Sequence, residues 1–122
     1  MAFADGMEVE KVGRTTGFTR GTVLGTIFGA HPVQYAAAIY GFSGVVYFEP
    51  VVAIHGKGAA FSDSGDSGSL ITMRFNGQRF AVGIVVGGKS DSAAPGGRTT
   101  IALPIEPILL RLGISLVSGH NV

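Results

Sequence analysis

The stretch "SLITMRFNGQRFAVGIVV" (residues 69–86) contains two apolar runs separated by a sharp turn signal. Asn76-Gly77 favours a β-hairpin, because both residues tolerate the positive φ that a tight two-residue turn requires. The flanking runs, Ser69–Phe75 and Arg79–Val86, are rich in the β-branched and aromatic residues typical of strands. We therefore predict that these two runs pair as antiparallel strands.

Four more short apolar runs lie on either side of this hairpin, at Glu8–Val12, Gly21–Phe28, Val45–Ile54 and Arg98–Leu103. The first two flank "GRTTGFTRG" (13–21), which we interpret as a second hairpin connection. Six strands and 20 glycines in 122 residues predict an all-β fold, either a small antiparallel barrel or a sandwich. The ending "PIEPILLRLG" (104–113) has helical spacing and predicts one C-terminal α-helix on the outside of the sheet.

Composition excludes several classes of function. The length of 122 residues indicates a single domain, and a net charge of +1 does not favour nucleic acid or an anionic membrane as partner. No apolar run is long enough to span a membrane, and the first residues do not resemble a signal peptide. With no cysteine, thiolate metal sites are excluded and a reducing compartment is favoured. We predict no cofactor and no metal.

The segment "FSDSGDSGSL" (61–70) places serine, aspartate and glycine between two apolar runs. It is either a polar turn between strands or a tight loop that presents the hydroxyl of Ser67 to a carbonyl carbon. A serine hydroxyl needs a base to remove its proton, and backbone N–H groups are rigid donors for the resulting oxyanion.

Three motifs together resemble the chymotrypsin-fold serine peptidases, in particular the bacterial alpha-lytic protease and streptogrisin group. They are "GDSG" (65–68), "VGRTTGFTRGTV" (12–23) and "PILLRLGISLVSG" (107–119), and they occur in the order of that group. The resemblance implies that residues 1–122 are one domain, the C-terminal half of a two-barrel peptidase. It also implies the fold, a six-stranded antiparallel Greek-key barrel followed by a helix.

The resemblance implies a role for each residue of the "GDSG" loop. Ser67 is expected to be the nucleophile, and the amides of Gly65 and Ser67 to form the oxyanion hole. Asp66 and Gly68 are expected to be structural, with the Asp66 carboxylate answering a buried positive group that the sequence does not identify. Arg14, Thr15 and Thr16 are interpreted as hairpin and core-edge residues rather than catalytic ones.

The segment "GIVVGG" (83–88) resembles the substrate-binding strand of this group, and the resemblance implies that a peptide pairs there by strand addition. Gly87 and Gly88 would leave the side of a specificity pocket open. Val86 stands where the group carries a serine that supports the catalytic aspartate. Phe61 and Ser62 either line the pocket or only pack the loop, and nothing acidic is clearly placed at its base.

Glu10 and Arg20 occupy the positions at which the secreted relatives carry a half-cystine pair. We expect a cross-strand ion pair there. An exposed pair of this kind contributes only about 0–1 kcal/mol, whereas a disulfide contributes about 2–4 kcal/mol.

The catalytic base is not evident in this sequence. The resemblance places the histidine and aspartate of the triad on a preceding barrel, and 66 residues before Ser67 leave no room for it. His31, His55 and His120 are interpreted as polar residues on turns or in the tail. The chain alone is therefore expected to be inactive.

Two functions follow for the chain. The first is half of a serine endopeptidase acting on a peptide or protein substrate together with an N-terminal barrel. The second is a non-catalytic peptide-binding or assembly module. In either case the face normally covered by the first barrel should be apolar, and we expect self-association through it as a symmetric dimer.

Overall fold

A computed structural model describes residues 3–29, 31–37, 42–48 and 50–105. These residues form eight strands: β1 (Glu8–Gly13), β2 (Gly17–Ile27), β3 (His31–Ala37), β4 (Phe42–Phe48), β5 (Val51–Gly56), β6 (Leu70–Phe75), β7 (Gln78–Ser90) and β8 (Arg98–Pro104). A short 3-10 turn at Pro95–Gly97 leads into β8.

Six of the strands close into an antiparallel barrel in the order β1-β2-β5-β8-β7-β6, with β6 pairing back onto β1. Strands β6, β7 and β8 follow one another, and β5 returns to lie beside β8, which is the arrangement of a Greek key. The predicted all-β, six-stranded antiparallel barrel is confirmed. The predicted C-terminal helix lies outside the described residues, which end at Ile105.

The hairpin that the sequence predicts around Asn76-Gly77 is present. Phe75 pairs with Gln78 across the turn, and φ is 51° at Asn76 and 77° at Gly77. Positive φ at both central residues matches the twist of the flanking strands. Strand β7 then continues beyond the predicted end at Val86, so Gly87 and Gly88 are also part of the sheet.

The single strand predicted over Val45–Ile54 is wrong. Strand β4 ends at Phe48 and β5 begins at Val51, with Pro50 in the connection. Proline has no N–H to donate to a strand ladder, so an apolar run does not continue as a central strand through it. His31, expected in a turn, instead begins β3, which pairs with β4 in a separate two-stranded sheet.

The main core fills the barrel. Strand alternation directs every second side chain inward, as at Val52 and Ile54 on β5, and Phe61 enters from the loop after β5. The cluster consists of Val9, Val23, Val52, Ile54, Phe61, Ile71, Val82, Val85 and Ala102. Full burial of one such aliphatic side chain contributes about 1.5–3 kcal/mol relative to its exposed state.

The expected ion pair between β1 and β2 is confirmed. Glu10 lies directly opposite Arg20 in the strand register, and 3.6 Å separates the Arg20 Nε from the Glu10 Oε2.

Within the described residues, no helix has the length and apolar character needed to cross a membrane.

Candidate active site

The "GDSG" loop lies between β5 and β6 and is fastened to β7. The Gly68 N–H donates to the Val85 carbonyl at 2.7 Å, and the Val85 N–H donates to the Ser69 carbonyl at 3.0 Å. φ is 96° at Gly65 and 89° at Gly68, a region that side-chain-bearing residues rarely adopt. The two glycines therefore allow the chain to turn sharply on either side of Asp66 and Ser67.

The Asp66 carboxylate fixes the loop by accepting hydrogen bonds. It is fully buried, and its Oδ1 accepts from the Thr15 N–H at 2.8 Å. Its Oδ2 accepts from the Thr16 hydroxyl at 2.6 Å and from the Asp63 N–H at 2.9 Å. Thr15 and Thr16, which the sequence suggested only as hairpin residues, thus tie the β1–β2 turn to the "GDSG" loop.

Lys11 is the buried positive group opposite Asp66. Its Nζ lies 3.8 Å from the Asp66 Oδ2, and neither side chain is exposed. The ammonium also donates to the Thr16 hydroxyl at 2.6 Å and to the Gly17 carbonyl at 3.1 Å. It lies 5.6 Å from the centre of the Phe61 ring, within range of a cation–π interaction.

Sequence reasoning missed Lys11, although a signal was present. Lys11 follows Val9 by two residues, so strand alternation places both side chains on the same, inward face of β1. A lysine in the register of a core valine needs a buried partner. Asp66, on a distant loop, is that partner.

The environment shifts the pKa values of both members of the pair. Burial alone would raise the pKa of Asp66, but hydrogen bonds from the Thr16 hydroxyl and from the N–H groups of Asp63, Thr15 and Thr16 outweigh it and lower this pKa to about 2. Burial lowers the pKa of Lys11, against the opposing effect of the Asp66 charge. Because its donors favour the charged form, Asp66 is ionised at neutral pH.

Ser67 differs from Asp66 in its exposure to solvent. Its side chain is exposed, whereas its neighbour Asp66 is buried. The N–H groups of Asp66, Gly68 and Ser69 all donate to backbone carbonyls. By contrast, the N–H groups of Gly65 and Ser67 have no acceptor among the described residues. Two free amides beside an exposed serine hydroxyl can bind an oxyanion that forms at that serine.

The predicted groove residues lie on β7 and on the loop beside it. Gly87 pairs with Ile101 and Gly88 with Thr100, after a register shift at Val86. Val86 is 6% exposed and packs in an apolar cluster with Val51 and Ile101.

The two loop residues named for the pocket have different positions. The Phe61 ring lies in the barrel core. Ser62 is buried, and its hydroxyl is 2.5 Å from that of Thr100. Ser62 therefore reaches the strand β8 that borders Gly88.

The His55 side chain binds residues other than Ser67. His55 Nε2 lies 3.0 Å from the Thr99 hydroxyl and 3.3 Å from the Asp91 Oδ2. His31 is paired with Phe48 in the separate two-stranded sheet, and His120 lies outside the described residues. In the described part of the chain, no three His, Asp or Glu side chains are grouped closely enough to hold a metal ion.

Comparison with known proteins supports a protease-like barrel. The model of the Nal1 C-terminal domain family matches residues 3–100 of this chain. Among solved structures, Thermobifida fusca protease A is 29% identical with a TM-score of 0.64, covering 98% of this chain and 53% of the protease. Cellulomonas bogoriensis chymotrypsin is 25% identical with a TM-score of 0.64, covering 97% of this chain and 53% of the enzyme.

A glutamic acid specific serine protease shares the fold, at 23% identity and a TM-score of 0.61, over 96% of this chain and 51% of its own. The chain thus spans about half the length of these solved proteases. No curated protein matches the chain.

Proposed function

Since the chain belongs to the Nal1 C-terminal domain family and has the barrel of bacterial chymotrypsin-fold serine proteases, we propose that it is the nucleophile-bearing barrel of a serine endopeptidase. Ser67 is the nucleophile, and the amides of Gly65 and Ser67 form the oxyanion hole. Strand β7 from Gly83 to Gly88 forms one wall of the substrate groove.

The observation that carries this proposal is the set of buried contacts that Asp66, the residue before Ser67, makes with Thr15, Thr16 and Lys11. A polar turn between two strands does not need a fully buried carboxylate with several donors and a buried ammonium. Burying two charges is expensive unless both are paired and hydrogen-bonded. The exposed Ser67 and the two amides without an acceptor among the described residues support a role in acyl transfer, which needs a nucleophile and oxyanion donors side by side.

The proposed reaction needs a base from a partner barrel. The Ser67 Oγ bonds to the peptide carbonyl carbon as its proton passes to that base, and the two amides bind the resulting oxyanion. The base then gives the proton to the leaving amine. Water hydrolyses the acyl-enzyme and restores Ser67.

A fluorophosphonate probe tests this proposal, because it reacts with activated serines. We expect poor labelling of Ser67 in this chain alone and strong labelling when an upstream histidine-bearing barrel is present. Ser67→Ala should abolish labelling, whereas Ser69→Ala, a nearby serine outside the "GDSG" motif, should retain it.

Strong labelling of the chain alone would show that no partner barrel is needed. Absence of labelling in the two-barrel protein would contradict the role of Ser67.

A second function is favoured by Val86. Its side chain is packed with Val51 and Ile101, so it provides no hydroxyl to support a catalytic aspartate. In this case the barrel binds peptides or assembles with a partner without cleaving. A two-barrel protein that binds peptides but leaves Ser67 unlabelled would favour this function.

A further inference from the structure

We propose that Arg98 makes the groove beside Ser67 selective for an acidic side chain of the bound peptide. This inference rests on the proposed function, in which the peptide lies along β7. It names a residue that the sequence did not single out and the chemical class of side chain that this residue selects.

The Arg98 guanidinium occupies the space that a side chain at Gly88 would fill. A Cβ placed on Gly88 would lie 2.7 Å from the Arg98 Cζ, Nε and Nη2 atoms. Such an approach is much shorter than an ordinary van der Waals contact. Glycine at position 88 therefore allows the guanidinium to lie flat against β7, at the strand where the peptide would pair.

Within the described residues, the Arg98 guanidinium has a buried donor, its Nε, that is not satisfied. The Arg98 Nε is buried and makes no hydrogen bond, and no ion pair joins Arg98 to a carboxylate within the described residues. A buried donor without an acceptor costs about 1–3 kcal/mol. Buried polar groups in native proteins are nearly always satisfied, so an unsatisfied one indicates a missing partner.

Asp91, which directly follows β7 on the connection to β8, is already hydrogen-bonded. Its Oδ2 accepts from the Thr99 hydroxyl at 2.7 Å and lies 3.3 Å from His55 Nε2. Its Oδ1 accepts from the Ala93 N–H at 3.0 Å. Asp91 therefore does not supply a carboxylate partner for Arg98.

Arg98 is also close enough to the "GDSG" loop for one extended peptide to reach both. Val85 exchanges hydrogen bonds with that loop, and Gly88 is three residues further along β7, or about 10 Å at the usual rise of a strand. Thr100, the partner of Gly88, shares a hydrogen bond with Ser62 of the loop.

An extended peptide with its scissile bond at Ser67 can therefore place a side chain against Arg98. A carboxylate there can accept two hydrogen bonds from the planar guanidinium.

The test is NMR titration of the chain with N-acetyl tetrapeptide amides that differ only in one residue, Glu, Gln or Lys. We expect the Glu peptide to shift the Arg98 Nε–H resonance in a saturable way and to bind at least about tenfold more tightly than the Gln peptide. The preference should disappear in Arg98→Gln. It should persist in the matched control Lys89→Gln, which removes the same charge from the neighbouring exposed position.

Thermal unfolding of Arg98→Met gives a second readout. If Arg98 awaits a ligand, this variant should be as stable as the parent or more stable, because an unsatisfied buried donor has been removed. Marked destabilisation would show a structural role instead.

Equal binding of Glu and Gln peptides, a Glu preference that survives Arg98→Gln, or no shift of the Arg98 resonance with any peptide would each overturn the inference. The titration does not involve Ser67 chemistry. Failure of fluorophosphonate labelling with an intact Glu preference would therefore contradict the proposed function alone.

Discussion

At the scale of single residues, the buried pair Lys11–Asp66 shapes the candidate site. Removal of one member of a buried ion pair leaves the other charge without compensation, which is more damaging than the loss of an exposed pair. Lys11 is also in contact with the Phe61 ring. Its replacement therefore affects the barrel core as well as the loop.

We predict that Lys11→Met lowers the free energy of unfolding by about 3 kcal/mol, because Asp66 is left buried and ionised. Lys57→Met is the matched control, because Lys57 pairs with Glu8 at the exposed surface, and it should change stability little. Urea denaturation followed by circular dichroism measures both variants. Equal losses in the two variants would contradict the assigned role of Lys11.

At the scale of elements, Glu10 joins several strands of the barrel. Besides Arg20 on β2, its Oε1 lies 3.3 Å from the Nε of Arg74 on β6 and 3.3 Å from that of Arg79 on β7. The sequence predicted only the pair with Arg20. The other two partners depend on barrel closure, which brings β6 beside β1.

We predict that the double substitution Glu10→Cys and Arg20→Cys oxidises cleanly to a disulfide and raises stability by about 2 kcal/mol. The two residues are directly opposite, and opposite residues in antiparallel strands have Cα atoms about 4.5–5.5 Å apart, within the range that a disulfide spans. Mass spectrometry and thermal unfolding with and without reductant measure the outcome.

The control for this disulfide is the diagonal combination Glu10→Cys and Thr22→Cys, since Thr22 lies opposite Glu8. It should oxidise poorly. Similar oxidation of both combinations would contradict the strand register.

At the scale of the whole molecule, apolar side chains occur on both faces of the barrel sheet. Val52 points into the barrel core, whereas Val51 belongs to a second cluster with Val86 and Ile101. Several large apolar side chains are also exposed, among them Phe28 at 83% and Val12 at 70%. The second cluster is buried within this chain, so the exposed side chains are the apolar surface available to a partner.

We predict self-association of this chain, as a symmetric dimer, at tens of micromolar, because extended apolar patches seldom stay exposed. Analytical ultracentrifugation measures the state. Addition of the upstream barrel should compete with the dimer if both use the same face. A monomeric profile at this concentration would contradict the prediction.

Local patterns in the chain were sufficient to predict an all-β fold and its main hairpin, whereas the choice of a barrel and the expected roles in the "GDSG" loop came from the family resemblance. Alternation and turn chemistry, as at Asn76-Gly77, act between near neighbours, so they can be recognised without coordinates. Pro50 is a local signal for the break between β4 and β5, but it was overlooked because apolar residues lie on both sides of it.

Contacts between distant segments depended on the tertiary structure. Lys11 meets Asp66, and Arg98 covers Gly88, only because barrel closure and strand register bring these residues together. The periodicity of the sequence does not show which inward-facing residue contacts which loop, because these contacts depend on how the six strands pair.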